Sequence, residues 1–266
     1  MSKKNQTVVF TNRPKIRGYY SIVGKKEGEG NFKDYFDYIL KDDKFGEKTY
    51  EHTERKILEQ AVFQAVQNSN LKTSDIQVML CGDLLDQIIS SAFTARHFNT
   101  VFLGVYGACS TIAESMGLGA VLIDGKHFDN IVCGTVSHFS SVERQYRFPL
   151  ELGNQRPPTS QWTVTGSGAV VLSSSGENCC EIQDVTFGKV IDYGVMDVNN
   201  MGAAMAPAIA IIGLCGMILP RISNTKIYSK GGKYSINNVC EIQLGSQQNI
   251  LLTFYYRIKI QIIWHK

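Results

Sequence analysis

The sequence predicts an α/β fold with a mixed, mostly parallel sheet over residues 1–207, followed by a divergent tail over residues 208–266. Three observations carry that expectation. Strand-like and helix-like periods alternate from Ile16 to Leu172 in the order βαβαβαββ, which calls for helices on the faces of a sheet. The apolar run Val101–Val105 leads through Tyr106, Gly107 and Ala108 into an amphipathic stretch opening at Ser110. Composition then breaks near Pro207. Residues 1–207 hold 20 Lys+Arg and 23 Asp+Glu, whereas residues 208–266 hold 7 basic residues and one acid, Glu241.

The elements follow in order. Residues 1–15 are polar and are expected as a loosely held arm. Ile16–Val23 reads as a first strand ending at Gly24, and Lys25–Gly30 as a charged loop. Phe32, Tyr35, Phe36, Ile39 and Leu40 recur at helical spacing, which predicts a face packed on the core. Thr53–Lys56 opens an amphipathic helix carrying Ile57, Leu58, Ala61, Val62, Ala65 and Val66, which fades at Asn68. After a turn at Thr73–Asp75 come a strand over Ile76–Leu80, a helix over Leu84–His97 and the strand Val101–Val105. The helix from Ser110 to Ile123 is followed by a turn at Asp124–Lys126 and a strand over Asn130–Thr135. Residues from Val142 to Trp162 show no period. Ala169–Leu172 reads as a buried strand, and Ile182–Tyr193 as the last one.

Composition narrows the function classes. The chain is 44% hydrophobic, ordinary for a folded protein, and begins without the apolar run of a signal peptide. Its net charge of +3 makes no case for a nucleic-acid partner, and none is expected. The seven cysteines have no C-x-x-C spacing, so neither a disulfide framework nor a zinc site is expected. No metal or cofactor is expected.

Three features point to a pocket. Cys109 stands where a buried strand becomes a helix. Unpaired N–H groups and the dipole there lower a thiol's pKa, as at a nucleophile elbow. The plainer reading is a small, inert, buried thiol. His138 follows Ser137 at a strand's C-terminal end, where open α/β sheets bind ligands, though a lone His there is also a common structural residue. The turn Gly166-Ser167-Gly168 lets a backbone pass close to a ligand, or is a plain bulge. Arg144, Arg147 and Arg156 lie in the aperiodic segment, which is either a recognition loop or a solvated excursion. A thiol with an imidazole is the minimum for acyl transfer; arginines instead suit a carboxylate ligand. Two classes stay open at this point, a thiol acyltransferase and a binding protein for a small anion.

Several longer strings carry a resemblance. They are Cys81-Gly82-Asp83-Leu84-Leu85, Phe93-Thr94-Ala95-Arg96-His97, Tyr106-Gly107-Ala108-Cys109-Ser110-Thr111 and Ser137-His138, with Glu143–Pro149, Gln161–Leu172 and Met201–Pro207. Over roughly residues 8–208 the chain resembles the stage V sporulation protein AD family, within the thiolase-like superfamily. The resemblance implies the N-terminal half of a thiolase-like fold and a binding role rather than an enzyme. It implies dipicolinic acid (pyridine-2,6-dicarboxylate) as ligand, moved into the forespore and released at germination. Other proteins of the SpoVA system are the implied membrane partners, with peripheral association on the spore inner membrane and a homodimer through this half. By position Cys109 matches the thiolase nucleophile, and the implied ligand-binding set is Cys109, Ser110, Ser137, His138, Arg144, Gly166 and Gly168. The alternative is a Cys-dependent acyltransferase of the thiolase and β-ketoacyl-acyl-carrier-protein synthase III class. Such enzymes take a second His or an Asn from a C-terminal repeat; here the only His after His138 is His265.

The tail departs from that family. Gly202–Pro220 is 19 residues without a charge, and isoleucines number 13 in the last 59 residues against 12 in the first 207. A reading-frame shift near residue 208 accounts for the change better than a transmembrane helix does. The tail is then expected to be β-prone, to lack a native second domain and to leave an apolar face of the sheet uncovered.

Overall fold

A computed structural model describes residues 6–146, 163–177, 179–188, 191–192, 194, 196, 235–236, 241–245 and 251–262, with backbone alone at 143–146, 191–192 and from 235 onward. The strands are β1 (Thr7–Val9), β2 (Lys15–Val23), β3 (Tyr38–Ile39), β4 (Val78–Asp83), β5 (Val101–Gly104), β6 (Asn130–Ser137), β7 (Gly166–Ser173), β8 (Cys180–Phe187), β9 (Ile191–Asp192), β10 (Ser235–Ile236), β11 (Glu241–Gly245) and β12 (Leu251–Ile262). The helices are α1 (Tyr50–Asn68), α2 (Ile89–Phe98), α3 (Thr111–Asp124) and α4 (Phe139–Tyr146).

The sheet is mixed, in the order β10-β12-β8-β2-β7-β6-β4-β5. β4 pairs in parallel with β5 and β6, while β7 runs antiparallel to both β6 and β2. β2, β4, β5 and β6 therefore run one way, and β7 and β8 the other. The parallel members are those reached through helices, as crossover geometry requires. In the tail, β12 adds antiparallel to β8, and β11 and β10 pair with β12.

Two apolar layers sandwich the sheet. Met79 and Cys81 of β4, Val132 and Val136 of β6, and Ala169 and Val171 of β7 meet Ile57, Leu58, Ala61, Val62 and Ala65 of α1. The alternate residues Val78, Leu80, Ile131, Cys133 and Leu172 meet Ala113, Met116, Ala120 and Ile123 of α3. The period of two along each strand thus assigns α1 and α3 to opposite faces. α2 joins the α1 face through Ala95.

Local chemistry moves several boundaries. α1 begins three residues before Thr53, because Thr49 caps it by accepting the His52 N–H at 3.2 Å. The helix expected from Leu84 starts only at Ile89. The Asp83 carboxylate accepts N–H bonds from Leu85, Gln87 and Ile88, and Asp86 and Ile88 adopt left-handed φ of 56° and 62°. A side chain that satisfies the backbone locally replaces the first helical turn. The helical stripe expected over residues 32–50 is a short 3-10 turn at Lys33–Tyr35 followed by β3. Leu40 is buried, but Phe32 and Tyr35 are 70% and 81% exposed. Asp37 holds this segment against β2 by accepting both the N–H and the hydroxyl of Ser21, each at 2.8 Å. The aperiodic segment opens as α4 through Tyr146, and the expected last strand is two, β8 and β9. The uncharged run Gly202–Pro220 lies outside the described residues, and the tail is described only as the backbone of β10, β11 and β12, so the expectation that its side chains pack poorly falls on no described side chain. Among the described residues no helix is long and apolar enough to cross a membrane.

Candidate functional site

β4 ends in Cys81-Gly82-Asp83, and the chain leaving β5 passes directly over it. The Val105 N–H donates to the Cys81 carbonyl at 3.0 Å. Tyr106 is exposed, Gly107 turns the chain, and Ala108–Ser110 makes one 3-10 turn before α3. The strain of this elbow sits on Ala108, which holds φ at +43°, and not on Cys109. Asp86 holds that conformation, its Oδ1 accepting the Ala108 N–H at 2.9 Å.

Cys109 is where the sequence places it, and of the two readings open for it the surroundings favour the inert thiol over the activated one. Burial pushes its thiol up to about 12, and the Asp86 carboxylate adds to the rise. The cause lies in the turn. The Ser110 N–H donates to the Gly107 carbonyl at 2.7 Å and the Thr111 N–H to the Ala108 carbonyl, so these donors do not face the sulfur. A helix terminus supplies about 1 kcal/mol or less in such a setting, and desolvation outweighs it. Cys109 is a protonated thiol.

The other expected site residues are mostly engaged inside the fold. Ser110 is fully buried, its hydroxyl donating to the Gly107 carbonyl at 2.7 Å. The Ser137 hydroxyl donates to the Val164 carbonyl at 2.6 Å. His138 is fully buried, with Nε2–H donating to the Asp43 carbonyl at 2.8 Å and Nδ1 accepting the Ser140 N–H at 3.2 Å. Its ring stacks on Tyr50 and Phe139, with centroids 4.9 and 5.2 Å away. Burial holds it below the usual histidine range, so it is a neutral imidazole anchoring the loop before α1. Both ring nitrogens of His138 are thus bonded to the backbone and not to the Cys109 thiol.

The glycines divide. A Cβ on Gly166 would stand 2.8 Å from the Ile22 carbonyl oxygen, so this residue serves the contact between β7 and β2. A Cβ on Gly168 would meet nothing within 4 Å among the described residues. By alternation with Val170 and Leu172, Gly168 lies on the α3 face, beside Thr135 of β6. The backbone there is open to close approach. Arg144 is in α4, its side chain outside the described residues, as are Arg147 and Arg156.

The acids around the turn are the residues that sequence reasoning missed. Asp86 and Glu114 are half-buried, and burial raises the pKa of each. Deeper in, Glu54 of α1 is 8% exposed and pushed up to about 7 by burial and by Asp83, with the Ser141 hydroxyl donating to it at 3.4 Å. The only signal in the sequence was the pair Asp83 and Asp86 directly after a buried strand, a position where open sheets place functional side chains.

Comparison with known proteins agrees with this architecture. The chain resembles solved structures of a 3-oxoacyl-(acyl carrier protein) synthase III from Xanthomonas oryzae (TM-score 0.53, 12% identity, 83% of this chain and 76% of that one). It resembles an OleA variant from Xanthomonas campestris equally well (TM-score 0.54, 12% identity, the same coverage). At such identity the likeness concerns the fold, which is thiolase-like. In sequence, the chain is 40% identical over 205 residues to stage V sporulation protein AD of Bacillus subtilis (strain 168). That match takes in 77% of this chain and 60% of the relative's length. The family model for stage V sporulation protein AD matches residues 4–214, ending close to the compositional break. The chain belongs to the stage V sporulation protein AD family.

Proposed function

We propose that this chain is a sporulation protein that binds dipicolinic acid through the α3 face of its sheet, for uptake into the forespore and release at germination. The observation that carries this over an enzymatic role is the state of Cys109. A thiol at the nucleophile position that burial and Asp86 keep protonated, with both ring nitrogens of His138 bonded to the backbone, suits a converted binding site. Recognition would rest on the open backbone at Gly168 and on an arginine of the 144–156 segment, Arg144 among them, pairing with carboxylate. Peripheral association with the spore inner membrane and work alongside other SpoVA proteins belong to the same proposal.

One observation favours the second reading, Cys109-dependent acyl transfer: the likeness of fold to a 3-oxoacyl-(acyl carrier protein) synthase III. Titration calorimetry of dipicolinate, with benzoate as control, separates the two. Saturable binding of dipicolinate alone, lost in Cys109→Trp and kept in Cys109→Ala, is the expected result. Silence in calorimetry with an acyl adduct on Cys109 in intact-mass analysis after exposure to acyl-CoA would overturn it.

A homodimer through this half is part of the proposal. Among the described residues β5 is a sheet edge, with Val101 and Leu103 55% and 44% exposed and no charge or proline in the strand to protect it. Sedimentation should show a dimer that Leu103→Lys dissociates; a monomeric wild type would remove this part.

A further inference from the structure

α1 and α2 lie side by side and run in the same direction. Arg55 of α1 stands over the Phe93 ring at 6.0 Å, and one turn further along both helices Glu59 pairs with His97. At this end the helices leave a cavity of about 530 Å³, within the size range of small-molecule sites. It lies by the end of α2 that leads into β5, whereas the Cys109 turn follows the other end of that strand. The charges on its lining are already paired. Lys56 Nζ is 2.9 Å from Glu47 Oε1 and donates to the Phe45 carbonyl at 2.9 Å, and His97 Nδ1 is paired with Glu59 Oε1. What stays open is neutral. Gln60 and Gln64 line the cavity one turn apart on α1, and their side-chain amides have no hydrogen-bond partner among the described residues. Phe63, on the same face, is 41% exposed and makes no ring contact among the described residues, while Phe98 lines the cavity from α2.

We propose that this cavity binds a purine nucleoside, its base stacked on Phe63 and read along one edge by Gln60 and Gln64. The site is separate from the one proposed for dipicolinate, and the inference does not rest on that reading. The chemistry of the open groups selects the ligand class. An amide side chain offers two N–H donors and a carbonyl acceptor in one plane, the pattern that matches the donor and acceptor edge of a purine. An exposed phenyl ring offers a face on which a base stacks, whatever its substituents. A purely apolar ring would fill the space and leave the amides without partners, which costs affinity wherever water is displaced. A phosphate on the ligand gains nothing, since Lys56 and His97 already have acidic partners that it would have to displace. An uncharged purine meets both demands of the lining and disturbs neither ion pair.

The test is calorimetry and saturation-transfer NMR on the full chain with adenosine and guanosine, with adenosine monophosphate and phenylalanine as controls. The expected result is saturable binding of a purine nucleoside, no tighter binding of the monophosphate and no binding of phenylalanine. Phe63→Ser and Gln64→Leu each weaken the nucleoside by about tenfold or more. Both substitutions fall on the outer face of α1, so the thermal midpoint stays where it is; Gln60→Leu repeats the comparison if Phe63→Ser lowers it. Any response to dipicolinate is the same in the variants as in the wild type. Failure of both nucleosides to bind the folded wild type overturns the proposal. So does binding that survives all three substitutions, or a monophosphate that binds more tightly than its nucleoside. None of these outcomes touches the dipicolinate reading, which stands or falls on its own titration.

Discussion

Glu54→Gln unfolds at a higher temperature than the wild type at about pH 8 and at the same temperature at about pH 4. Glu54 sits on α1 at 8% exposure, with Asp83 on one side and, among the described residues, the Ser141 hydroxyl at 3.4 Å as hydrogen-bond partner. Its carboxyl is pushed from an ordinary 4.5 to about 7, chiefly by burial and next by Asp83. The sign follows from the protons bound. Below the ordinary value both folded and unfolded chains carry a neutral Glu54, and there is no penalty. Above about 7 both carry it charged, and the folded chain bears the full cost of a charge in a poorly solvated place. That cost grows between the two values and is on the order of 3 kcal/mol at its limit. Glutamine keeps the amide oxygen for Ser141 and never charges. The gain for a chain of this size is on the order of 10 °C in the unfolding midpoint. Equal gains at both pH values would mean that packing, and not charge, sets the difference.

Such a residue is kept at a cost, and its position gives that cost a context. Glu54 ties α1 to α4 through Ser141, and α4 leads into the arginine-bearing segment. It also faces Asp83, whose three accepted N–H bonds shape the turn that delivers Asp86 to Ala108. The acids therefore form one physical sequence from the α1 face to the Cys109 turn.

What was legible in the sequence, and what was not, divides along the range of the interactions. The core of α1 was legible because Ile57, Leu58, Ala61, Val62, Ala65 and Val66 follow the helical period, and all are buried. The Cys109 turn was legible as strand, small residues and helix in a row. The start of α2 was misplaced because a single side chain, Asp83, overrides the apolar pattern that follows it. The state of the site was hidden for a different reason. The pKa of Cys109 is set by burial and by Asp86, which stands 22 residues before the turn it holds. His138 is held by the carbonyl of Asp43, a partner 95 residues earlier in the chain. Period and spacing report which face a residue occupies; they do not report which carbonyl will be waiting there.

Gly82→Ala destabilises the protein by about 3 kcal/mol or more and disorders the Cys109 turn along with it. The substitution looks conservative, since Gly82 lies in the buried strand β4, and alanine is ordinarily tolerated in a strand better than glycine is. The geometry reverses that expectation. A Cβ at this position would stand 2.1 Å from the Val105 carbonyl oxygen and 3.0 Å from Thr111 Cγ2. The first contact is with backbone, which cannot rotate away as a side chain can. Relief requires Val105 to lift from β4, yet Val105 is 3% exposed and its N–H is bonded to the Cys81 carbonyl. Lifting it pulls on Tyr106 and Gly107 and so on the strained Ala108 held by Asp86. Stability and site geometry should therefore fall together. Urea denaturation measures the first, and the rate of Cys109 alkylation by iodoacetamide, read by peptide mass spectrometry at fixed pH, measures the second. A lowered midpoint with faster labelling is the expected pair. An unchanged midpoint would show that β5 can shift outward without cost and that the elbow is not built on the absence of a side chain at Gly82.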